Sequence, residues 1–232
     1  LLFDSRIEHK YYKSKELMQH FFGAEVIFED KTINKDEVIL MDLQDNKENF
    51  NFMYTLPFSE KKALIETTYF SNKLLTSSNY EKDLDKYISK KYFGKKYKII
   101  NMESGIIPMF KFREENTNNY VKIGTAGNWV KQSTGYSLQN TFAYSKQIVD
   151  CIIKDKNPVI KKSLFYDFLD STFCKFVKNN PIELKLFFNS FFKRNNLELI
   201  VKFLTNSANL LEILKIVVSL PKYLLIKAVF EK

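Results

Sequence analysis

The chain has 232 residues, of which 45% are hydrophobic and 27% are charged, and its formal net charge at pH 7 is +9. This length and apolar content are enough for one large domain or two small ones, and they exclude a disordered chain. The two cysteines have no paired spacing, and the two histidines have no metal-ligand spacing with them, so we predict no disulfide framework, no metal site and a reduced, intracellular setting.

The positive charge comes from lysines spread among tyrosines and phenylalanines, as in KKYFGKKYK at residues 90–98. Such a surface can contact phosphates through charge and bases through stacking. No helix-turn-helix, zinc-finger or RNA-recognition signature accompanies it, so we predict no nucleic-acid partner. A solvated basic face and attraction to an anionic membrane surface are the two interpretations that fit the charge.

The first half of the chain has the pattern of extended structure. The opening LLFDSR is typical of the end of a strand, so we expect the chain to continue a segment upstream. One amphipathic helix is predicted over 79–94, with Leu84, Ile88 and Tyr92 on one side and a stop at Gly94. Alternating and β-branched residues predict five strands, at residues 23–28, 37–44, 50–58, 63–71 and 119–127.

After Gly135 the pattern becomes helical. A helix with one apolar face, formed by Leu138, Phe142, Ser145, Val149 and Ile152, must end before Pro158. Three further amphipathic helices fit the rest, at 164–178, 182–193 and 197–220 with a break near Asn206. No uncharged run reaches the roughly 20 residues of a spanning helix. We expect either a buried helical cap or a surface that dips into the membrane interface, with lysines reaching outward.

Glu66 is an acid inside the predicted strand ALIETTYFS. If SEKK at 59–62 is a four-residue turn, Thr55 faces Glu66 across the hairpin. A carboxyl group among apolar neighbours is partly desolvated, which raises its pKa and suits a proton donor near neutral pH. A glutamate at a strand edge that reaches water fits the pattern equally well. Alternation along the strand puts three residues on the same face as Glu66, namely Leu64, Thr68 and Phe70.

A second polar pattern lies in VKIGTAGNWVKQSTGYSLQ, residues 121–139. The predicted strand runs into Gly124 and Gly127, whose missing side chains allow a ligand to approach the backbone closely. STGYS at 133–137 then opens a helix, whose free N–H groups and positive dipole end suit an anion or a polar ring edge. An ordinary strand, turn and capped helix would give the same pattern.

These segments together resemble the bacterial, flavin-dependent lycopene β-cyclase family, a branch of the glutathione-reductase-like flavoproteins. The resemblance covers nearly the whole chain in order, through FDSR, QHFFGAEV, ILMDLQ, FMYTLPFSEKKALIETTYFS, ESGIIPM, IGTAGNWVKQSTGYS, NNPIELKLFFNSFFKR and SLPKYLL. It implies a partial FAD-dependent flavoprotein fold, α/β in class and mixed α+β in this chain. The regions it implies are mainly β and substrate-binding at 1–122, a flavin-contacting strand, turn and helix at 123–156, and a helical, membrane-associating or cap region at 157–232.

The resemblance also implies an activity. Enzymes of this family are intramolecular lyases, or isomerases, that cyclise the linear ends of lycopene into β-ionone rings without net redox change, using FAD reduced by NAD(P)H. A proton is delivered to the terminal double bond, a neighbouring double bond attacks the carbocation, and a proton is then lost. Because lycopene stays in the membrane, we expect a cytoplasmic protein that is peripheral to the cytoplasmic membrane and takes lycopene or another linear carotenoid.

Carried over residue by residue, the family's acidic strand motif falls on Ile65 to Thr68, which implies that Glu66 is the general acid or base. Relatives usually have a second acid where this chain has Thr67, so the return of the proton would pass to the flavin or to Glu103. Glu103, in ESGIIP, is a candidate second catalytic residue, with a structural or flavin-proximal role as the alternative. The implied flavin contacts are Gly124, Thr125, Ala126 and Gly127 at the turn, and Thr134, Gly135 and Tyr136 at the helix start.

No glycines have the GxGxxG spacing with which family members hold the ADP half of FAD. We therefore expect this polypeptide alone to bind FAD poorly and to cyclise nothing. Two other classes stay open. A related flavoprotein, such as a prenyl-chain reductase or monooxygenase, would share the glycine segment but has no reason to contain LIETTYFS beside STGYS. A non-catalytic membrane-surface or carotenoid-binding protein would tolerate Glu66→Gln.

Overall fold

A computed structural model of the chain describes residues 1–13, 15–45, 49–113, 116–117, 119–223 and 226. The fold is of the mixed α/β class that the sequence predicts. In chain order its elements are β1 (Leu2–Asp4), α1 (His9–Tyr12), β2 (Met18–Phe28), β3 (Ile39–Leu43), β4 (Phe50–Pro57), β5 (Lys62–Ser71), α2 (Ser77–Lys91), β6 (Tyr97–Pro108), β7 (Tyr120–Lys122), α3 (Leu138–Ile153), α4 (Leu164–Asn179), α5 (Leu184–Arg194), α6 (Leu197–Leu204) and α7 (Leu210–Ser219).

The chain divides into two compact units. The sheet unit is Met18–Ile107, and the helical unit is Leu1–Leu17 together with Pro108–Lys232. The three regions expected from the family resemblance, with boundaries at 122 and 156, stay a prediction. The sheet unit contains one five-stranded sheet with the strand order β3-β4-β5-β2-β6, and α2 lies between β5 and β6 in the chain.

One face of the five-stranded sheet forms the core of the sheet unit. Ala24 and Val26 of β2 and Ile65 of β5 are fully buried, and they belong to one cluster with Leu84 and Ile88 of α2. The helix thus buries the side that the sequence pattern predicts for it. Because side chains alternate along each strand, the residues between these ones, Glu66 among them, lie on the opposite face of the sheet.

The predicted strands at 23–28, 37–44, 50–58 and 63–71 are confirmed as parts of β2 to β5. The segment 119–127 forms a strand only over Tyr120–Lys122, because the chain turns at Gly124. Strand β6 was not predicted. Its residues from Lys98 to Ser104 are mostly exposed, so the apolar alternation that marks a half-buried strand is weak there.

The hairpin of β4 and β5 has a register one residue away from the predicted one. Tyr54, not Thr55, lies opposite Glu66. The N–H groups of Phe58 and Ser59 both donate to the carbonyl oxygen of Lys62, at 2.8 and 3.1 Å, so two residues on one side of the turn face one on the other and the pairs beyond them shift by one residue. The prediction that Thr55 faces Glu66 is therefore wrong, while the alternation within β5 itself is unaffected.

In the helical unit, β1 and β7 pair in parallel, with Leu2 opposite Tyr120. Phe176 of α4, Leu184 of α5 and Ile216 of α7 are fully buried and form its core. The four predicted helices are confirmed, and the last is broken between α6 and α7, where Asn206 has a φ of 58°. The end of the apolar segment, at 224–225 and 227–230, lies outside the described residues.

The apolar face predicted for α3 is exposed within this chain. Leu138 and Phe142 are 67% and 70% exposed, whereas Ile148, on another side of the helix, is buried. In the ranges that the structure describes, none of the helices combines the length and hydropathy that spanning a bilayer would require.

Candidate active site

Glu66 lies in the middle of β5 between two neighbours of very different size. Tyr54 of β4 is directly opposite on one side, and Gly23 of β2 is directly opposite on the other. Strand β6, which contains Glu103, lies on the far side of β2. Strands β5 and β6 are therefore about 10 Å apart, since each neighbouring pair is separated by almost 5 Å. The two glutamates belong to strands that do not pair with each other.

Gly23 leaves the space in which these two side chains approach each other. A Cβ atom placed on Gly23 would lie 2.8 Å from Cγ and 3.3 Å from Oε1 of Glu66, and 3.3 Å from Cγ of Glu103. Both glutamate side chains thus extend over the bare backbone of Gly23 from opposite sides. A side chain at this position of β2 would stand between the two carboxyl groups.

The environment of Glu66 favours its protonated form. Burial, first, and then the hydrogen bond and the like charge of Glu103 raise the pKa of Glu66 to about 8. Glu66 is half-buried, while Glu103 is exposed. Two carboxylates that share one site repel each other, so a proton is retained between them to a higher pH. A carboxyl group that is still protonated at neutral pH can act as a general acid.

Several aromatic rings lie on the same face of the sheet as Glu66. Phe52 of β4 and Phe70 of β5 are buried and lie edge to face, with their ring centroids 5.6 Å apart. The ring of Phe21 covers Gly105 of β6, where a Cβ atom would lie 2.5 Å from its Cζ. Aromatic faces attract cations. This face can therefore both release a proton and stabilise positive charge on an apolar ligand.

Thr67 lies on the other face of the sheet. It is fully buried, and its Oγ1 accepts a hydrogen bond of 2.9 Å from Nδ2 of Asn51. An acid at position 67 would thus lie on the helix-covered side and not beside Glu66. The second acid on the face of Glu66 is Glu103, which the family resemblance suggested. The sequence alone does not show that residues 66 and 103 lie close together, because β6 has no clear strand pattern.

The second group of candidate residues forms a tight turn in the helical unit. Gly124 has a φ of 57°, and the N–H of Gly127 donates to the carbonyl oxygen of Ile123 at 3.0 Å. A Cβ atom on Gly127 would lie 2.4 Å from the oxygen of Lys122, so the turn itself requires glycine there. Thr125 is half-buried and Ala126 is buried. The openness that the sequence suggests for both glycines is therefore absent at Gly127, and at Gly124 a Cβ atom would lie 3.5 Å from Cβ of Ser5.

Two unsatisfied groups follow this turn. The indole N–H of Trp129 is buried and has no hydrogen-bond partner among the described residues. Ser137, at the N-cap of α3, makes no side-chain capping bond, so the first N–H groups of α3 are not capped by it. Buried polar groups without a partner are rare in native proteins. This segment therefore has hydrogen-bond donors that the described chain does not use.

The remaining candidates lie between the turn and α3. Gly135 has a φ of 74°, a conformation that favours glycine, and Thr134 accepts a hydrogen bond of 3.2 Å from the N–H of Tyr136. Tyr136 is 58% exposed. Gly135 and Tyr136 line a groove of about 530 Å³, with Leu138 on α3 and Leu204 on α6. Of the residues that the resemblance assigns to flavin contact, Gly135 and Tyr136 thus border an open groove within the helical unit, whereas Gly124 to Gly127 and Thr134 do not line it.

A buried ion pair that the sequence did not reveal holds this segment in place. Lys131 donates 2.8 and 2.7 Å hydrogen bonds to Asp170 of α4 and to the side-chain oxygen of Asn206. Ser133 donates to the same Asp170 oxygen at 2.6 Å. Lys131 and Asp170 are 39 residues apart in sequence, and only the packing of α4 against the segment brings them together. In the part of the chain that is described, no three His, Cys, Asp or Glu side chains are placed to hold a metal ion.

Three comparisons with known proteins bear on this geometry. A family model described as lycopene cyclase protein matches residues 1–229. No curated protein sequence shows a significant match. The structure resembles a geranylgeranyl bacteriochlorophyll reductase-like protein from Thermoplasma acidophilum, with a TM-score of 0.54 and 13% identity, over 92% of this chain and 55% of that chain.

A tryptophan 6-halogenase from Streptomyces toxytricini matches more weakly, with a TM-score of 0.33 and 9% identity over 96% of this chain and 45% of that one. That score supports no conclusion about the fold. The Thermoplasma structure, by contrast, shows that the fold of the present chain occurs in a larger protein. The chain spans about half the length of that structure.

Proposed function

Because the chain belongs to the lycopene cyclase protein family, we propose that it takes part in the non-redox cyclisation of the linear ends of lycopene, or of a similar carotenoid, to β-ionone rings. The observation that supports this most is the raised pKa of Glu66 on a sheet face lined by aromatic rings. Acid-initiated cyclisation of a hydrocarbon needs a carboxyl group that still holds a proton near pH 7 and surroundings that tolerate a cation.

Glu66 supplies the proton in this proposal. Its O–H bond breaks as a C–H bond forms at the terminal double bond, and the electrons of a neighbouring double bond close the ring onto the resulting cation. A ring C–H bond then breaks, its electrons form the new double bond, and the proton returns to the carboxylate. The reaction moves one proton out and one back, so it balances without oxidant or reductant. Phe52, Phe70 and Phe21 exclude water and face the cation.

FAD is the cofactor that this family implies, and the helical unit has residues that fit its flavin ring. The start of α3, which the Ser137 side chain does not cap, and the indole N–H of Trp129, which has no partner among the described residues, are places for the polar edge of a ring. In the proposal Gly124, Thr125, Ala126 and Gly127, together with Thr134, Gly135 and Tyr136, would hold the flavin. Reduced by NAD(P)H, the bound flavin would supply negative charge that can stabilise a cation.

The test is the carotenoid content of lycopene-accumulating cells that express the full reading frame encoding this chain. We expect β-carotene from the wild type and a loss of at least about 100-fold with Glu66→Gln, the usual scale for removing a general acid. Glu25→Gln is the matched control, because Glu25 lies on the same sheet face but is paired with Lys62. Equal β-carotene from wild type and Glu66→Gln would contradict the proposal.

A second candidate function, reduction of a prenyl chain, is favoured by the fold shared with the geranylgeranyl bacteriochlorophyll reductase-like protein. The same cells distinguish the two reactions. Cyclisation leaves the mass of the carotenoid unchanged, whereas reduction of a double bond adds two hydrogens. Products of unchanged mass with ring end groups support the cyclase, and heavier linear products support the reductase.

We place the membrane-facing surface on α6 and α7. Five apolar residues, spaced three or four apart within each helix, are exposed there, namely Leu197, Val201, Leu210, Leu214 and Val218. The net charge of +9 favours an anionic bilayer. Leu214→Glu should reduce co-sedimentation with phosphatidylglycerol vesicles, and Ser78→Glu, which adds the same charge in the sheet unit, should not. Equal loss in both variants would mean that charge alone, and not this face, determines binding.

A further inference from the structure

We propose that Glu66 and Glu103 work as one proton-sharing carboxyl pair, and that Gly23 is the positioning residue that allows the pair to form. The catalytic role that we assign to the pair rests on the proposed function, whereas the arrangement of the three residues does not depend on it. Glu103 is the positioning partner that shares the proton of Glu66, and Gly23 touches no substrate in this scheme.

The backbone conformation at Gly23 gives no separate reason for a glycine at this position. It is directly opposite Glu66 in the β2–β5 ladder, and its φ is not positive, so the backbone conformation does not demand glycine. The space above it is what demands glycine, because a Cβ atom there would meet Cγ atoms of both glutamates. At 2.8 Å from Cγ of Glu66, that contact is closer than two carbon atoms tolerate. Glu66 would have to rotate away from Glu103.

The pair also explains how Glu66 has a second carboxyl group beside it although residue 67 is a threonine. Thr67 lies on the helix-covered face, so the second carboxyl group beside Glu66 comes from β6, across a strand, and not from the next residue. After Glu66 donates its proton, the two carboxylates lie side by side and repel each other. This repulsion favours the return of a proton from the ring carbon. The pair then holds one proton both before and after the reaction.

Few other charged groups face this pair within the sheet unit. Glu25 is on the same face of β2 but is engaged by Lys62 of β5. Tyr54 of β4 is opposite Glu66. Among the described residues of this face, Glu66 and Glu103 are therefore two acids that approach each other without a lysine between them.

The test is a ¹³C-carboxyl NMR titration of the protein encoded by the full reading frame, labelled with ¹³C-glutamate, in which Glu66→Gln assigns the signal of Glu66. We expect Gly23→Ala and Glu103→Gln each to lower the pKa of Glu66 by about one unit or more, because each removes the approach of the second carboxyl group. Gly94→Ala is the matched control. It replaces a glycine of positive φ that has no neighbour within 4 Å of the added Cβ atom, and it should leave the signal of Glu66 unchanged.

An unchanged titration of Glu66 in Glu103→Gln would overturn the pair even if Gly23→Ala did not fold. The titration needs no cyclisation, so the two proposals can fail separately. Coupled titration without any ring product from the full protein would keep the pair and overturn the proposed function. Ring product together with an independent titration of Glu66 would keep the function and overturn the pair.

Discussion

The two units of the chain place charge inside the fold in opposite ways. In the sheet unit two acidic side chains approach each other, Glu66 and Glu103 over Gly23. In the helical unit opposite charges meet, Lys131 and Asp170, with Ser133 and Asn206 completing their hydrogen bonds. A satisfied pair of opposite charges fixes a structure, whereas a pair of like charges weakens it and changes the acidity of its members. The difference points to chemistry in the first case and to stability in the second.

The largest expected effect comes from breaking the opposite-charge pair. Lys131→Met leaves Asp170 buried without its cation, and we expect the free energy of unfolding to fall by about 3–5 kcal/mol. Trp129, the single tryptophan, is buried two residues from Lys131, so its fluorescence during urea denaturation reports on the helical unit. The double variant Lys131→Met with Asp170→Leu should recover much of the loss, since no lone charge stays buried. A loss below 1 kcal/mol in the single variant would show that water reaches the pair.

The sequence shows Glu66 more clearly than the other three members of these pairs. Glu66 stands out because it interrupts a strand of apolar residues, and the alternation of β5 gives its neighbours correctly. Glu103 lies in a strand without clear periodicity, and Lys131 and Asp170 are separated by a turn, the whole of α3, a loop and the first turns of α4. Long-range contacts of this kind depend on the packing of whole elements, which no local pattern specifies. The register of the β4–β5 hairpin failed for a related reason, because one bulged residue in a polar turn shifts every pair.

The helix predictions show where local patterns suffice. The helices α2 and α4 follow apolar spacing, and the break between α6 and α7 follows the polar TNSAN. The spacing of apolar residues does not show which apolar helix face stays exposed. The face of α3 that contains Leu138 and Phe142 has the same spacing as a buried face. Burial depends on what lies beside a helix, and that information is not in the helix itself.

An intermediate effect is expected in the sheet unit, with the opposite sign. The pKa of Glu66 is higher in the folded state, about 8, than its ordinary value of 4.5. Between these values the unfolded chain releases the proton while the folded chain keeps it, so the contribution of Glu66 to stability is full below pH 4.5 and is lost as the pH rises towards 8.

Glu66→Gln removes this dependence. We expect the variant to be more stable than the wild type at pH 8 and similar to it at pH 5, as measured by hydrogen exchange of the β5 amides. The control is Glu25→Gln, which removes an acid of the same face but one that is paired with Lys62. Its pH dependence should follow that of the wild type. The same pH dependence in Glu66→Gln and in the wild type would show that Glu66 is not protonated in the fold.

The smallest expected effect involves no charged group, so it serves as the reference for both the Glu66–Glu103 pair and the Lys131–Asp170 pair. Asn196 caps α6 by accepting a 2.9 Å hydrogen bond from the N–H of Leu199, and no ionised group takes part in that bond. Asn196→Ala should cost about 1 kcal/mol of unfolding free energy, and Asn196→Asp, which keeps an acceptor at the N-cap, should restore it. The cost of Asn196→Ala should be the same at pH 5 and pH 8 when followed by Trp129 fluorescence. If it varied with pH as the Glu66→Gln difference does, the pH dependence would be a property of the whole chain and could not be assigned to the carboxyl pair.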